Sequence, residues 1–365
     1  MVAGTPSDVI SAELAAPELL PPNLLRKFFA GGASIARFRN LPALDSHLAE
    51  DWLGSAATAR GQTELGLSRF SDGTLVRDRL RATPEAYFSH AHRQVFGADP
   101  AMLVKLLDTA ERLPIAAHPD RAFASTWLDS CFGKTEAWLV LETAAEDAFA
   151  LIGFREDVSF ARLRELVEKQ QADELSDLLN KVRLEPGDAI LVPGGTPHAL
   201  GPGLFIVEVQ EPTDFSVMLE WKGYEFDGPR FGHLMLGFER ALGCVDRSAW
   251  DSRRLEGLRS RFDLVGAEPA IRDLLPPVSR TYFRAQAIRC VTELELEQEF
   301  SVLVVLSGEG SLEANGASSL PLSRGSTALV PYAAERVRLC GDLGVLRCLP
   351  PEPTTQSHVT EGSTA

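Results

Sequence analysis

Apolar residues follow two rhythms along this chain. Ala189–Val192, Leu204–Val209 and Val302–Leu306 are short continuous apolar runs closed by Gly, Pro or Ser, which is how buried strands read. Elsewhere the apolar spacing is three to four residues. Pro100–Ala110, with a proline at its start, and the charge-dense stretch Phe160–Val182 both predict helix. The pattern over residues 43–112 is helical in the same way, and shorter helices are predicted near Asn23–Ala30 and Phe231–Leu242. The chain therefore reads as mainly β, with helical insertions at about 60–112 and 158–182. Pro186-Gly-Asp-Ala-Ile-Leu-Val-Pro193 returns as Arg324-Gly-Ser-Thr-Ala-Leu-Val-Pro331, residue for residue. A turn and strand of a small β-barrel are thus used twice. The expected organisation is an arm over 1–30, a first domain over 31–245, an Arg-rich connector over 246–280 and a second barrel over 281–350. The Pro-, Ser- and Thr-rich tail 351–365 is expected to be disordered, so His358 carries no functional weight.

Composition narrows the function classes. A chain of 365 residues, 45% hydrophobic and 24% charged, is long enough for two domains with cores of their own. A formal charge of −15 argues against nucleic acid as a partner, whose phosphates need a basic surface. It does not exclude one anionic small molecule, because a few local cations override net charge. The opening segment has neither a basic start nor a continuous apolar core, so no secretory signal is expected, and no run is long enough to span a bilayer. The five scattered cysteines have no metal or redox spacing and read as reduced thiols of a cytoplasmic protein. Cys131 sits three residues before Lys134, whose ammonium would favour a thiolate, yet no local histidine supports it as a nucleophile.

Candidate chemistry concentrates in three segments. The first is Pro186–Asp214, where His198 follows a Gly-Gly-Thr-Pro corner and Glu208 lies on the next strand. The second, Leu113-Pro-Ile-Ala-Ala-His118-Pro-Asp120, ends an apolar run on an imidazole. In the third, Gly133–Leu141, Lys134 and Glu136 are two apart on a predicted strand and so share a face. Two imidazoles and a carboxylate from three strands suit an open divalent-metal site. Two structural histidines with satisfied hydrogen bonds are the plain alternative, and a simple ion pair is the plain alternative for Lys134. His90, His92 and His233 read as packing or surface residues.

These three segments, LPIAAHPD, GKTEAW and VPGGTPHALGPGLFIVEVQEPTD, resemble in order the metal-site segments of type I mannose-6-phosphate isomerases, zinc enzymes of the cupin class. Glu50-Asp-Trp52 is similar to an early Glu-x-Trp stretch of that family, and the likeness covers most of residues 40–240. The resemblance implies two cupin domains, the first carrying the metal and the second, with no histidine after Pro331, serving structure. By position it makes His118, Glu136 and His198 metal ligands, Lys134 the proton-transfer base and Asp214 an acidic residue of the sugar site. Zinc is the implied ion, and manganese, iron or cobalt would fit the same donors.

Two departures stand out. Ala116 falls where many members supply a fourth ligand, and three ligands with water still suffice for a catalytic metal. Met218 falls where the family carries an active-site Arg, so charge must come from elsewhere, with Arg230, Arg121 and Lys222 as candidates and Glu208 beside the metal as a further substrate contact. Three functions follow from the resemblance. The first is a sugar-phosphate aldose–ketose isomerase converting mannose 6-phosphate to fructose 6-phosphate. The second is an isomerase of an unphosphorylated or modified sugar, and the third a non-catalytic sugar-binding cupin. The partner is in each case a small sugar, with a homo-oligomer as an open possibility.

Overall fold

The computed structural model describes residues 16–144, 146–264 and 266–353. Most of the tail expected to be disordered, and the first half of the arm, lie outside them. Among the described residues three antiparallel sheets build the molecule. A seven-stranded sheet runs in the order Arg259–Arg261, Asp188–Val192, Glu136–Thr143, Leu204–Gln210, Leu103–Asp108, Leu48–Leu53, Leu24–Arg26. A five-stranded sheet runs Val217–Met218, Ala116–Ala117, His198–Leu200, Phe149–Phe154, Leu179–Arg183. The third, eight-stranded, is centred on the long strands Ser301–Glu313 and Arg338–Leu349.

The layers follow from which face each side chain takes. Leu107, Val140, Ile190 and Ile206 of the seven-stranded sheet meet Ala150, Ile152 and Leu200 of the five-stranded sheet in one core. The other face of the same sheet, with Val104, Leu106, Leu139, Val207 and Val209, packs on Ala285, Val302, Val304 and Leu346 of the third. A sheet buried on both faces must be apolar at successive positions, which is why its central strands read as unbroken runs. In the third sheet the alternation is clean: Val302 and Val304 face the seven-stranded sheet, whereas Leu303 and Val305 face the opposite side with Ile288, Leu339 and Leu343. Helices Phe160–Glu168 and Ala172–Asp177 cover the outer face of the five-stranded sheet through Leu163, Leu166, Val167 and Leu175.

The repeated octapeptide is one turn built twice. Gly187 and Gly325 both have left-handed φ, 90° and 88°, a conformation that penalises any Cβ. Each feeds a fully buried strand, Asp188–Val192 in the first sheet and Thr327–Val330 in the third.

Several expected helices are different elements. Val76–Ala82, Pro84–Tyr87 and His90–Phe96 are helical, but Leu48–Leu53 and Leu103–Asp108, inside the region read as helix, are strands. A lysine at 105 within a doubly buried strand imitates helical spacing. Leu24–Arg26 is a strand, not a helix, and Leu179–Arg183 turns from helix to strand before the predicted end at 182. The predicted helix over 231–242 is broken into Gly228–Phe231 and Phe238–Ala241, because Leu234 and Met235 both adopt positive φ, 55° and 67°. The connector is not structureless. Arg259–Arg261 pairs with Asp188–Val192, and Ala270–Asp273 pairs with Arg284–Cys290, so it contributes one strand to each side. No helix among the described residues is long and apolar enough to cross a membrane. The five cysteines are unbridged, with Cys131 exposed.

Candidate active site

The two facing sheets leave a cavity of about 850 Å³ between them, open at one end. Strand registry delivers its polar groups. His198 is the register partner of Ala116, so the two-residue Ala116–Ala117 strand carries His118 to its side. Across the seven-stranded sheet Trp138, Glu208, Lys105 and Trp52 are successive register partners, and Glu136 and Glu50 share that row's face two residues away. A single cavity wall thus gathers four carboxylate- or ammonium-bearing strands.

His118 Nε2 lies 3.2 Å from Glu136 Oε2, and His198 Nε2 lies 3.3 Å from Glu136 Oε1. All three side chains are buried, and one ligand atom from each lies within 4.8 Å of the others. Each ligand is oriented from behind. His198 Nδ1 donates to the Thr196 carbonyl at 2.9 Å, and His118 Nδ1 lies 3.2 Å from the Ser216 hydroxyl. The His198 Nε2 lone pair is therefore left facing the cavity, while His118 Nε2 faces Glu136 and Lys134. The Trp138 indole donates to Glu136 Oε1 at 3.0 Å, and the same device recurs where Trp52 donates to Glu50 Oε2 at 2.7 Å.

Electrostatics suit the donor set. Burial, reinforced by the Lys134 ammonium, pushes His118 down to about 3 against the pull of Glu136. Burial likewise lowers His198. Burial opposes ionisation of Glu136, but Lys134 and the two imidazoles outweigh it and hold the carboxyl well below its usual range. Two neutral imidazoles beside one carboxylate are the protonation states a divalent cation requires. Glu136 Oε2 is buried without an aligned hydrogen bond and has only the charge contacts of His118 and Lys134, so it keeps acceptor capacity that a cation would satisfy. The residues therefore fit a metal ion. Lys134 Nζ stands beside them, 2.8 Å from His118 Nε2 and 3.0 Å from Glu136 Oε2.

Comparison with known proteins places this arrangement. The chain is 26% identical over 263 residues to mannose-6-phosphate isomerase of Streptococcus mutans, covering 70% of this chain and 77% of that one. It is 26% identical over 260 residues to mannose-6-phosphate isomerase ManA of Bacillus subtilis, covering 68% and 76%. The chain is thus a distant relative of proteins named mannose-6-phosphate isomerase. No family model matches the sequence. The fold is that of the crystal structure of mannose 6-phosphate isomerase from Bacillus subtilis, with a TM-score of 0.69 at 23% identity over 91% of this chain and 99% of that one. A mutant phosphomannose isomerase from Salmonella typhimurium superposes with a TM-score of 0.70 at 17% identity over 93% and 100%.

In this mannose-6-phosphate isomerase relative the cavity also gathers Asp214 and Glu208 from the sequence-predicted set. Burial opposes the Asp214 charge, but Lys27, Lys105 and Lys134 overcome it and lower its pKa. Glu208 is raised by burial, with Lys105 pulling the other way at 3.2 Å. Arg121 and Arg230 are not brought to the cavity. Arg121 bonds Glu211 at 2.6 Å and the Thr281 carbonyl at 2.8 Å, and Arg230 lies exposed over the Phe231 ring. Met218 does line the wall, beside Gly232. Four lining cations escaped sequence reading: Arg26, Lys27, Arg60 and Lys105. Lys105 had one usable signal, a lone charge inside an otherwise apolar run, and Arg60 in a loop had none.

Proposed function

We propose that this chain is a metal-dependent aldose–ketose isomerase of a sugar phosphate, converting mannose 6-phosphate to fructose 6-phosphate. The observation that carries the reading is the primary amine of Lys134 set against a His–Glu–His cluster in the wall of a cavity large enough to take a sugar phosphate. A non-catalytic sugar binder has no use for a proton carrier at that place. The names of the curated relatives support the substrate.

In this reading His118, Glu136 and His198 hold the ion, with zinc as the best match to two imidazoles and one carboxylate. When bound, zinc supplies a Lewis acid for the oxygens of the reacting carbons. Lys134 removes the proton from C2 of the open-chain sugar and returns it to C1, while a hydroxyl proton passes to the other oxygen, so that aldehyde and ketone exchange places. Asp214, ionised and backed by lysines, orients a sugar hydroxyl, and Glu208 fixes Lys105 on the adjoining wall. The chain is read as two cupin domains over 31–245 and 281–350, the second without metal ligands, in a cytoplasmic protein with reduced thiols.

The test is isomerisation of mannose 6-phosphate by zinc-loaded protein. Turnover should require the metal and fall about 10²- to 10⁴-fold in Lys134→Ala. Protein that binds zinc through these residues yet turns over no phosphosugar would overturn the isomerase reading.

A further inference from the structure

We infer that Arg60 binds the phosphate of the substrate and makes this cavity prefer phosphosugars; the inference rests on the isomerase reading above. A charge inventory of the cavity singles it out. Arg26 pairs with Asp45 at 2.9 Å, Lys27 with Glu50 at 3.3 Å, Lys105 with Glu208 at 3.2 Å and Lys134 with Glu136 at 3.0 Å. Each of these lining cations is already matched to a carboxylate. The Arg60 guanidinium is the exception among the described residues. It donates through one nitrogen to the Leu234 carbonyl at 2.7 Å and lies over the Phe215 ring at 5.4 Å. The nearest carboxylate, Asp214, is engaged by the Arg60 backbone amide at 3.1 Å rather than by the side chain. The carboxylate is thereby kept in place while the fork's other donors stay free.

Position agrees with charge. His118, Lys134 and Glu136 are buried at the closed end of the cavity, whereas Arg60 is exposed where it opens. A 6-phosphate lies at the opposite end of the sugar from C1 and C2, so chemistry at the floor puts the dianion at the mouth. Of the other exposed or half-buried lining groups, Phe226, Phe231 and Met235 are apolar, Gln62 is neutral and Arg26 is already paired with Asp45. A guanidinium fixed by one edge and by an aromatic face is well prepared for a bidentate phosphate contact.

Steady-state kinetics of the zinc-loaded protein test this, with inorganic phosphate as a competitive inhibitor. In Arg60→Gln, KM for mannose 6-phosphate and Ki for phosphate should rise together by about ten- to a hundredfold, with kcat and zinc content nearly unchanged. Arg60→Lys, which keeps the charge and loses the fork, should recover part of the loss. Unchanged KM and Ki would overturn the inference. So would a loss confined to kcat, or one that lysine does not relieve, since either would mean that Arg60 merely tethers the Leu234 loop. Phosphate binding by calorimetry, with and without Arg60→Gln, decides the anion site even in a protein without isomerase activity, so the two readings fail separately.

Discussion

His118 and His198 are buried as neutral imidazoles, and that has a price in acid. Both have folded-state pKa values below the ordinary 6.5 of histidine, about 3 for His118, and the Glu136 carboxyl is likewise depressed. Below pH 6.5 the unfolded chain therefore binds protons that the folded chain refuses. The stability these groups contribute is complete above that pH and is lost as pH falls toward their folded values. Metal-free protein should lose about 1.4 kcal/mol per pH unit for each such proton, read as a falling thermal midpoint between pH 6.5 and 4. A midpoint indifferent to pH across that window would show that the histidines are not held neutral. The same residues were the most legible part of the sequence. Histidines next to a proline at the end of an apolar run or after a glycine corner, and a Lys-x-Glu pair on one strand face, are local signals, and registry brings them together. Lys27, Lys105 and Arg60 were not legible. A charged side chain inside a chain segment reads as a solvated face unless the strand partner that neutralises it is known, and Glu50 and Glu208 are far away in sequence.

At the level of single elements, the longest strands that were misread, Leu48–Leu53 and Leu103–Asp108, are those with buried residues on both sides. Leu103–Asp108 has no exposed position, so no alternation announces it. By contrast the Gly187 turn was visible because it repeats, and its conformation makes the repeat accountable. Gly187 has φ 90°, and a Cβ there would come within 2.6 Å of the Phe262 carbonyl oxygen. Gly187→Ala should therefore destabilise the protein by about 1–3 kcal/mol, measured by chemical denaturation. Gly257→Ala is the control, since Gly257 is helical with nothing within 4 Å of an added Cβ, and it should be neutral or slightly stabilising. Equal costs at the two positions would refute the account.

On the scale of the molecule, the two halves are joined by more than apolar contact. Arg39, with its side chain only 4% exposed, lies 3.0 Å from the fully buried Asp51 of the first sheet. It also donates to the Gly325 carbonyl at 2.9 Å, the Thr327 hydroxyl at 2.7 Å and the Leu20 carbonyl at 2.9 Å, all on the side of the third sheet. Removing one member of a buried pair strands the other, so Arg39→Ala should cost about 3–5 kcal/mol. The double change Arg39→Met with Asp51→Leu should cost less than the single one, because no charge is left alone. Additive losses would mean the pair does not act as a unit. None of this was readable beforehand. The sequence indicated two β regions through its repeated octapeptide, but an ion pair bridging them depends on a packing that no local pattern encodes.

The short strand Glu18–Leu19 closes the edge of the third sheet, with Glu18 opposite Leu329 and Leu19 opposite Ala328. Its consequence is one of timing. Synthesis proceeds from the N-terminus at about 5–20 residues per second, so this segment emerges on the order of tens of seconds before its partner exists. The first sheet can gather its strands in the meantime, but the arm must wait, and the Thr327–Val330 edge has no neighbour on that side until the arm arrives. Assembly of the third sheet thus waits for strands made long after Glu18–Leu19, and it is completed by a segment made well before them.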